Sequence, residues 1–387
     1  MTVKREIWLL AICSAVVTAN AYYIHPIIRA VAESFAVSES QVGWVPALNQ
    51  IALALGVILL LPLGDRVNNR MLVRVCLMAQ VLALLVMATS PSFWLFTAAS
   101  TALGFTTVTP YLLPAYVSRR IEVAKLGYAT AMLTAGVIAG VQLSRLLSGV
   151  IGEFTDWRWV YALAAMLMAA ASVVLPKIMS DENTPKANIN YPALLRSLLH
   201  LGAQHPRVMI SATIQGLNFA MFIALWLAIS LHLTSDAIGY GYDLVGYLTA
   251  FSAIGLTTAS SLGRWADRRG PERARLVLAL IQPVGLVLLF FSGEHWLSLL
   301  PPIAILSIVG PVIDITGRMT GLREDPAVRR RLMALYVGLM FLGGGLGSLT
   351  GTWAYEYGSW SGVIALLMVL SSIICVLAFR EARGGRH

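Results

Sequence analysis

Charged residues are scarce in this chain, and their scarcity excludes an ordinary soluble domain. Asp, Glu, Lys and Arg make up 12% of the 387 residues, whereas hydrophobic residues make up 58%. Soluble domains carry about 25% charged residues and cannot bury this much apolar surface. A bilayer accommodates it, because each spanning helix needs about 20 apolar residues. The composition therefore indicates a membrane protein built from spanning helices.

Several chemical features are also missing. The three cysteines, Cys13, Cys76 and Cys375, lie in apolar runs without metal-ligand spacing, so we expect core residues and no metal site. No Gly-x-x-x-x-Gly-Lys-Ser/Thr loop is present, which excludes ATP drive by this chain. Residues 1–6 are short and charged, and we expect no cleavable signal peptide. No cofactor is expected.

Long apolar runs dominate the sequence instead. Twelve of them are long enough to span a bilayer, which predicts an all-α membrane protein with twelve transmembrane helices. The predicted spans are residues 7–30, 42–63, 72–91, 93–117, 127–151, 158–178, 208–233, 243–263, 274–293, 296–317, 332–352 and 361–379.

The longest polar connection predicts a division of the chain into two bundles. Residues 179–206 are expected to form a cytoplasmic linker between an N-terminal six-helix bundle, 1–178, and a C-terminal six-helix bundle, 207–387. Within the linker, residues 191–201 are amphipathic and predict a short helix on the membrane surface.

The basic residues set the expected orientation. A net charge of +9 would suggest nucleic acid in a soluble protein, but here the basic residues recur between apolar runs. If Met1 is cytoplasmic, only Arg29, Arg145 and Arg158 of the 28 Lys and Arg residues fall outside cytoplasmic segments, as the positive-inside rule requires. We expect no nucleic-acid partner, both termini in the cytoplasm and a multi-pass position in the bacterial inner membrane.

A short charged motif occurs twice, each time between two apolar runs. The copies are Pro-Leu-Gly-Asp-Arg-Val-Asn-Asn-Arg at 62–70 and Gly-Arg-Trp-Ala-Asp-Arg-Arg-Gly-Pro-Glu-Arg at 263–273. Gly-x-x-x-Asp-Arg-x-Gly with a trailing Arg resembles the signature loop of the major facilitator superfamily. The first copy departs from it, with Leu61 and Asn68 in place of the two glycines. The resemblance implies gating roles for Gly64, Asp65, Arg66, Arg70, Gly263, Asp267, Arg268, Gly270 and Arg273.

The resemblance covers the whole chain and implies two pseudo-symmetric halves. Small residues recur one turn apart in the fifth and eleventh spans, which favours close helix packing in lipid. The expected packing residues are Gly136, Gly140, Gly343 and Gly347. Residues 136–161 also resemble the bacterial drug- and metabolite-efflux permeases of that superfamily, which implies export.

Ionisable residues inside the spans are the candidates for substrate and proton binding, because they are costly in hydrocarbon. Arg145 is assigned as the only basic residue well inside a span and Asp314 as the only acidic one, at opposite depths. Arg145 either faces the cavity and binds an anionic group or hydrogen-bonds helix ends as a structural tie. Gln142, one turn earlier, would support either role.

Two roles are possible for each of Asp314 and His25. The resemblance implies that Asp314 is a latch to the signature loop, through Arg268, Arg273 or Arg318, with proton transfer as the alternative. His25 is a proton or substrate contact or a core histidine. Other residues that would line a cavity are Asn20, Tyr23, Asn49, Gln50, Thr106, Thr107, Tyr111, Gln215, Asn218 and Trp226.

These features favour a secondary transporter. Proton-coupled export of a small organic molecule by alternating access is the function that the resemblance implies, in a monomer with the bilayer, the substrate and protons as partners. Uptake or exchange of a small organic anion is the alternative that Arg145 suits. A sensor or scaffold without transport stays open, whereas an enzyme is disfavoured because no nucleophile–base or paired-carboxylate constellation lies at a membrane face.

Overall fold

The computed structural model describes residues 3–64, 67–179 and 191–384, and this part of the chain is helical apart from short turns and connections. Asp65 and Arg66, in the first copy of the signature loop, and residues 180–190 of the predicted linker lie outside the described residues. The helices are α1 (Val3–Ala19), α2 (Ile24–Ser34), α3 (Glu39–Val42), α4 (Trp44–Leu63), α5 (Asn69–Thr89), α6 (Phe93–Thr106), α7 (Thr109–Arg120), α8 (Val123–Phe154), α9 (Arg158–Ile178), α10 (Tyr191–Gln204), α11 (Pro206–Leu233), α12 (Tyr242–Ser252), α13 (Ile254–Arg269), α14 (Pro271–Phe290), α15 (Leu300–Leu322) and α16 (Pro326–Gly384), with a 3-10 turn at Trp296–Leu299 before α15.

The all-α membrane fold is confirmed. Nine helical segments in the described residues are long and apolar enough to cross a membrane, and the bent pair Tyr242–Ala259 and Ser261–Arg269 makes a tenth if it is one span. Two further features bear on the predicted twelve spans. The helices α6 and α7 follow one another but are short, with 14 and 12 residues, and α16 is far too long for one crossing, with 59 residues.

The long helix α16 turns back on itself at Ser359, whose backbone has φ 51° and ψ −150°. A Cβ built on Gly362 would overlap the carbonyl oxygen of Ala354, although residues eight apart in a straight helix are about 12 Å apart. We call residues 326–358 the first arm and 360–384 the second arm of α16. The two arms account for two predicted spans.

Close helix packing occurs in the same way in both halves of the chain. The helix α8 lies against α1, and the first arm of α16 lies against α11, at positions where a Cβ would meet backbone atoms of the neighbour. These positions are Gly136 on Ala11, Gly140 on Ala15, Gly343 on Gly216 and Gly347 on Ala220. Only glycine fits there, because a Cβ would overlap the neighbouring backbone. Such close backbone contact stabilises helix pairs in lipid, where no hydrophobic effect drives them together.

The first predicted span, 7–30, is interrupted rather than continuous. Residues 20–23 form a turn between α1 and α2, directly before Pro26. A proline ring clashes with the carbonyl four residues earlier, here that of Tyr22, and removes one helical hydrogen bond. The fourth span is likewise broken between α6 and α7, before Pro110. Both breaks place polar backbone inside the membrane, which is tolerated where it lines a cavity or is buried in protein.

A buried ion pair corrects the assignment of Arg145 and Asp314 as the only charged residues inside spans. Arg275 is 0% exposed, and its Nη1 lies 2.5 Å from Oε2 of Glu381. The prediction counted Arg275 among the cytoplasmic residues, although its predicted span began at residue 274, and it ended the last span at residue 379. Both residues lie within helices, α14 and the second arm of α16. Arg275 also donates to Ser211 and to Thr316.

The two halves of the chain contact each other at one membrane face and also along the helices α4 and α16. We call the face where α1 begins and α16 ends the terminal face, and the other the opposite face. At the opposite face, Ser230 Oγ donates to the Pro26 carbonyl at 2.7 Å, and Arg29 pairs with Asp236 at 3.1 Å. Toward the terminal face, α4 and the first arm of α16 stay in contact, where a Cβ on Gly338 would meet Ile58.

Candidate functional site

The guanidinium of Arg145 occupies an aromatic cage between the two halves of the chain. The helix α8 carries Arg145, which is 0% exposed. Its Cζ lies 5.1 Å from the ring centre of Tyr22, 4.6 Å from that of Phe222 and 5.2 Å from that of Trp226. Tyr22 comes from the break between α1 and α2, whereas Phe222 and Trp226 lie one turn apart on α11. We call these four residues the Arg145 cage.

The cage attracts the charge of Arg145 without satisfying its hydrogen bonds. Within the described part of the chain, Nε, Nη1 and Nη2 of Arg145 have no hydrogen-bond partner. Ring faces attract a cation by about 1–2 kcal/mol when desolvated, but they do not accept the in-plane N–H groups. A buried polar group without a partner costs about 1–3 kcal/mol. The arrangement therefore suits an anionic acceptor placed in the plane of the guanidinium.

His25 lies beside the same cage. Its ring centre is 5.5 Å from that of Tyr22 in an edge-to-face contact, and the residue is 1% exposed. Within the described residues, neither ring nitrogen has a hydrogen-bond partner. The imidazole is also within electrostatic reach of Arg145. The structure thus brings two of the predicted site residues, Arg145 and His25, together around Tyr22.

A row of aromatic side chains leads away from the cage. Phe222 stacks on Phe219 at 5.6 Å, Phe219 meets Phe341 at 5.7 Å, and Phe341 meets Tyr111 at 5.8 Å between ring centres. We call these four residues the aromatic row. It crosses from the C-terminal half to α7 of the N-terminal half, so an apolar surface shared by both halves adjoins the cationic cage.

Asp314 is paired within its own half. Its Oδ2 accepts from Arg318 Nε at 2.9 Å, and its Oδ1 accepts from the Tyr336 hydroxyl at 3.0 Å. Of the three expected latch partners, only Arg318 is found; the described residues show no pairing of Asp314 with Arg268 or Arg273. The Asp314 and Arg318 side chains are 24% and 35% exposed. The pair is thus an open, salt-bridged group rather than a lone buried acid.

Gln142, which was expected to support either role of Arg145, makes no hydrogen bond to it in the described part of the chain. Its amide nitrogen donates to the Thr249 carbonyl at 3.2 Å and to Ser252 Oγ at 3.0 Å. It therefore ties α8 to α12 across the two halves.

Asn20 and Asn218 each join a network inside one half. Asn20 Nδ2 donates to Gln80 Oε1 at 3.2 Å, and Asn218 Nδ2 donates to the Gly310 carbonyl at 3.1 Å. Tyr23 is buried next to α2. None of the three has a contact with Arg145 in the described structure.

The signature loops show little of the gating contact that the resemblance implies. Asp267 and Arg268 are exposed, and the described chain gives neither of them an ion pair. Gly270 has φ +87°, a backbone conformation that favours glycine. Arg273 borders a cavity of about 300 Å³ with Phe379 and Arg383.

The two remaining glycines of the signature differ in their surroundings. Near Gly263, the nearest neighbour of an added Cβ would be Ile315 at 3.9 Å. In the first copy, a Cβ on Gly64 would meet Asn69 and Leu112, and the Arg70 amide donates to Asn68 Oδ1 at 2.9 Å. Asp65 and Arg66 lie outside the described residues.

Comparison with known proteins identifies this arrangement of helices. The family model of the Major Facilitator Superfamily matches residues 10–310. The chain belongs to the Major Facilitator Superfamily. The resemblance of its signature loops is thereby confirmed, and the chain is a multi-pass membrane protein of the transporter type.

Relatives of this superfamily protein are transporters. It is 26% identical over 359 residues to the uncharacterized transporter YgaY of Escherichia coli O157:H7, covering 92% of this chain and 90% of that protein. A bacterial homolog of the human lysosomal transporter Spinster, in an inward-facing and unoccupied conformation, has a TM-score of 0.80 at 13% identity, covering 98% of this chain and 97% of that one. The human organic anion transporter MFSD10 has a TM-score of 0.74 at 15% identity, covering 98% and 100%.

Proposed function

We propose that this protein is a secondary active transporter that moves a small organic anion across the membrane by alternating access. The observation that carries the proposal is the Arg145 cage, in which a fully buried guanidinium has no hydrogen-bond partner among the described residues. The anionic group of the substrate binds the guanidinium through its paired N–H donors. The aromatic row beside the cage takes up the apolar body of the same molecule.

A comparison inside the molecule supports a binding role over a structural tie. Arg275 is equally buried, and its nitrogens donate to Ser211, Thr316, Thr320 and Glu381. That is how a structural arginine is held in this protein. Among the described residues, the guanidinium of Arg145 lies over three ring faces and has no hydrogen-bond partner, whereas a tie to helix-end carbonyls would need hydrogen bonds.

The distribution of contacts supports alternating access. The halves meet at the opposite face through Ser230, Arg29 and Asp236, and the similar Spinster homolog is inward-facing. We assign the terminal face to the cytoplasm of a bacterial inner membrane. Labelling of cysteines at Asn183 and His295 tests the assignment: a cysteine at position 183 reacts only from the cytoplasm and one at 295 only from outside.

Export coupled to protons is the direction that the efflux-permease resemblance of residues 136–161 favours. His25 is the candidate proton carrier, because its unpartnered imidazole lies beside Tyr22 in the cage and titrates near neutral pH when solvated. Replacing His25 with Gln should abolish proton-driven flux but leave substrate exchange at equal pH. Loss of both activities would remove His25 from the coupling step.

Flux in proteoliposomes tests the proposed function. Vesicles holding the purified protein should exchange an aromatic carboxylate such as benzoate, and Arg145→Ala should reduce the exchange to the level of empty vesicles. Arg158→Ala is the matched control, because Arg158 also lies over an aromatic ring, Trp157 at 4.3 Å, but outside the cage. Equal exchange of carboxylates by wild type and Arg145→Ala would contradict the proposal, as would transport of amines or neutral sugars alone.

A further inference from the structure

Each half of the protein supplies a glutamate to the start of a helix in the other half, at the opposite face. Glu153, near the end of α8, accepts a hydrogen bond from the Tyr242 backbone N–H at 2.7 Å. Glu356, near the end of the first arm of α16, accepts one from the Ser40 backbone N–H at 2.6 Å. Tyr242 begins α12 and Ser40 lies in α3. The two contacts bridge the halves in both directions.

The two contacts occupy equivalent places. The helix α8 and the first arm of α16 are equivalent, because each packs its glycines along the first span of its own half. The helices α12 and α3 are equivalent as well, since each begins the second span of its half. In each half, a glutamate at the end of the fifth span therefore contacts the second span of the other half.

Each glutamate accepts one backbone N–H group at a helix start. The first backbone N–H groups of a helix have no partner inside it and carry partial positive charge, which favours a carboxylate. The N-cap of α12 is Gly241, which has no side chain to accept them. In α3, Ser38 and Gln41 cap one another, and the Ser40 N–H is left to Glu356.

Gly241 makes room for the Glu153 carboxylate. A Cβ at position 241 would lie 2.7 Å from the Glu153 carboxyl carbon and 2.6 Å from Asp243 Oδ1. The backbone at Gly241 has φ −77°, which any residue adopts. A side chain at 241 would therefore displace the Glu153 carboxylate by steric overlap, and not by changing the backbone conformation.

An ion pair at the same face also ties the halves together. Arg29 pairs with Glu33 on its own helix at 2.7 Å and with Asp236 of the other half at 3.1 Å. The Asp236 side chain is 97% exposed. Exposed pairs of this kind are screened by solvent and contribute little.

We propose that Glu153 and Glu356 are paired latches that hold the opposite face closed in the described state. Opening that face moves α8 away from α12 and the first arm of α16 away from α3, which breaks both hydrogen bonds and returns the helix starts to water. Closing remakes them without any bound substrate. The inference rests on the alternating-access part of the proposed function but not on the identity of the substrate.

Cysteine accessibility in purified protein tests the latches. Ser230 is 0% exposed, and its hydroxyl contacts Pro26 across the closed face, so Ser230→Cys reports opening when it reacts with a water-soluble maleimide. Cys13 and Cys76 are buried, and Cys375 is replaced by Ser to remove the partly buried thiol. In nanodiscs, Glu153→Ala or Glu356→Ala should raise the labelling rate about tenfold, as the loss of one charge-assisted hydrogen bond predicts.

Two further variants make the outcome decisive. Glu33→Ala removes a carboxylate from the same face but leaves both latches, so its labelling rate should stay at the wild-type value. Gly241→Ala keeps every charge but displaces the Glu153 carboxylate, and its rate should match that of Glu153→Ala. Unchanged labelling in both glutamate variants, or an equal rise in Glu33→Ala, would overturn the proposal. Faster labelling in a protein that exchanges no carboxylate would support the latches and contradict the proposed substrate instead.

Discussion

Gln80 and Gln282 play matching parts in the two halves of the protein. Gln80, on α5, accepts from Asn20 of the first span at 3.2 Å and donates to the Thr106 carbonyl of the fourth at 2.8 Å. Gln282, on α14, donates to Asn218 of the seventh span at 2.9 Å, and Asn218 in turn reaches the tenth. Each glutamine thus joins three spans of one half through buried amides.

Removing either amide should loosen one half. Gln80→Leu and Gln282→Leu each remove one hydrogen-bond partner of a buried asparagine, and a buried polar atom left unpaired costs about 1–3 kcal/mol. We expect a lower melting temperature in detergent for both, and no change for Gln204→Leu, because Gln204 lies on the exposed surface of α10. A melting temperature equal to that of wild type would mean that the two networks add nothing to stability.

Substitutions in the buried pair Arg275–Glu381 should affect the melting temperature differently from a substitution of Arg145. Removing one partner of a buried ion pair costs about 3–5 kcal/mol, because the other charge stays buried and unpaired. Arg275→Ala and Glu381→Ala should therefore melt well below wild type. Arg145→Ala, which removes an arginine without hydrogen-bond partners, should melt at or above wild type without ligand. The reverse order in a thermal scan would show that Arg145 is the structural residue.

The packing glycines should tolerate no side chain. Gly140→Leu and Gly347→Leu would place atoms on the backbones of Ala15 and Ala220, and overpacking typically costs about 1–3 kcal/mol or more. Both variants should lose thermal stability and expression. Gly127→Leu is the control, since a Cβ there meets no atom within 4 Å. Equal stability of all three variants would contradict the helix packing described here.

The sequence predicted the class of fold better than the contacts of the site. Apolar runs and the repeated loop were sufficient for an all-α membrane protein of this superfamily, because bilayer thickness sets the length of each span. Arg145 was recognisable as the costly charge in an apolar run. Phe222 was missed, although Phe219, Phe222 and Trp226 follow a helical spacing that would have indicated an aromatic face.

Other contacts depend on tertiary structure that no local pattern shows. The pairing of Arg275 with Glu381 was missed, because each lies within a turn of a predicted span end, where charged residues are ordinary, and the two are far apart in sequence. Glu153 and Glu356 were missed for a related reason, since their partners are backbone N–H donors, which every residue except proline carries. The turn in the middle of the first span follows from Pro26, a signal that was visible but was outweighed by the apolar run.

The second signature loop offers a prediction about the transport cycle. Asp267 and Arg268 are exposed in the described state and without an ion pair among its residues, so we expect them to pair in the other state, when the terminal face closes. Asp267→Ala or Arg268→Ala should reduce flux while abundance and melting temperature stay near wild type. Loss of the protein from the membrane would instead indicate a folding role.

Ligand-induced stabilisation of purified protein tests the central assignment of Arg145 most directly. Wild type and Arg145→Ala are compared in a thermal-shift assay against organic acids, cationic drugs and neutral sugars. We predict that aromatic carboxylates stabilise wild type. Arg145→Lys should respond weakly, because bidentate geometry is lost. Arg145→Ala should fold but should not respond. Equal stabilisation of wild type and Arg145→Ala by cationic compounds, with no response to acids, would contradict this assignment.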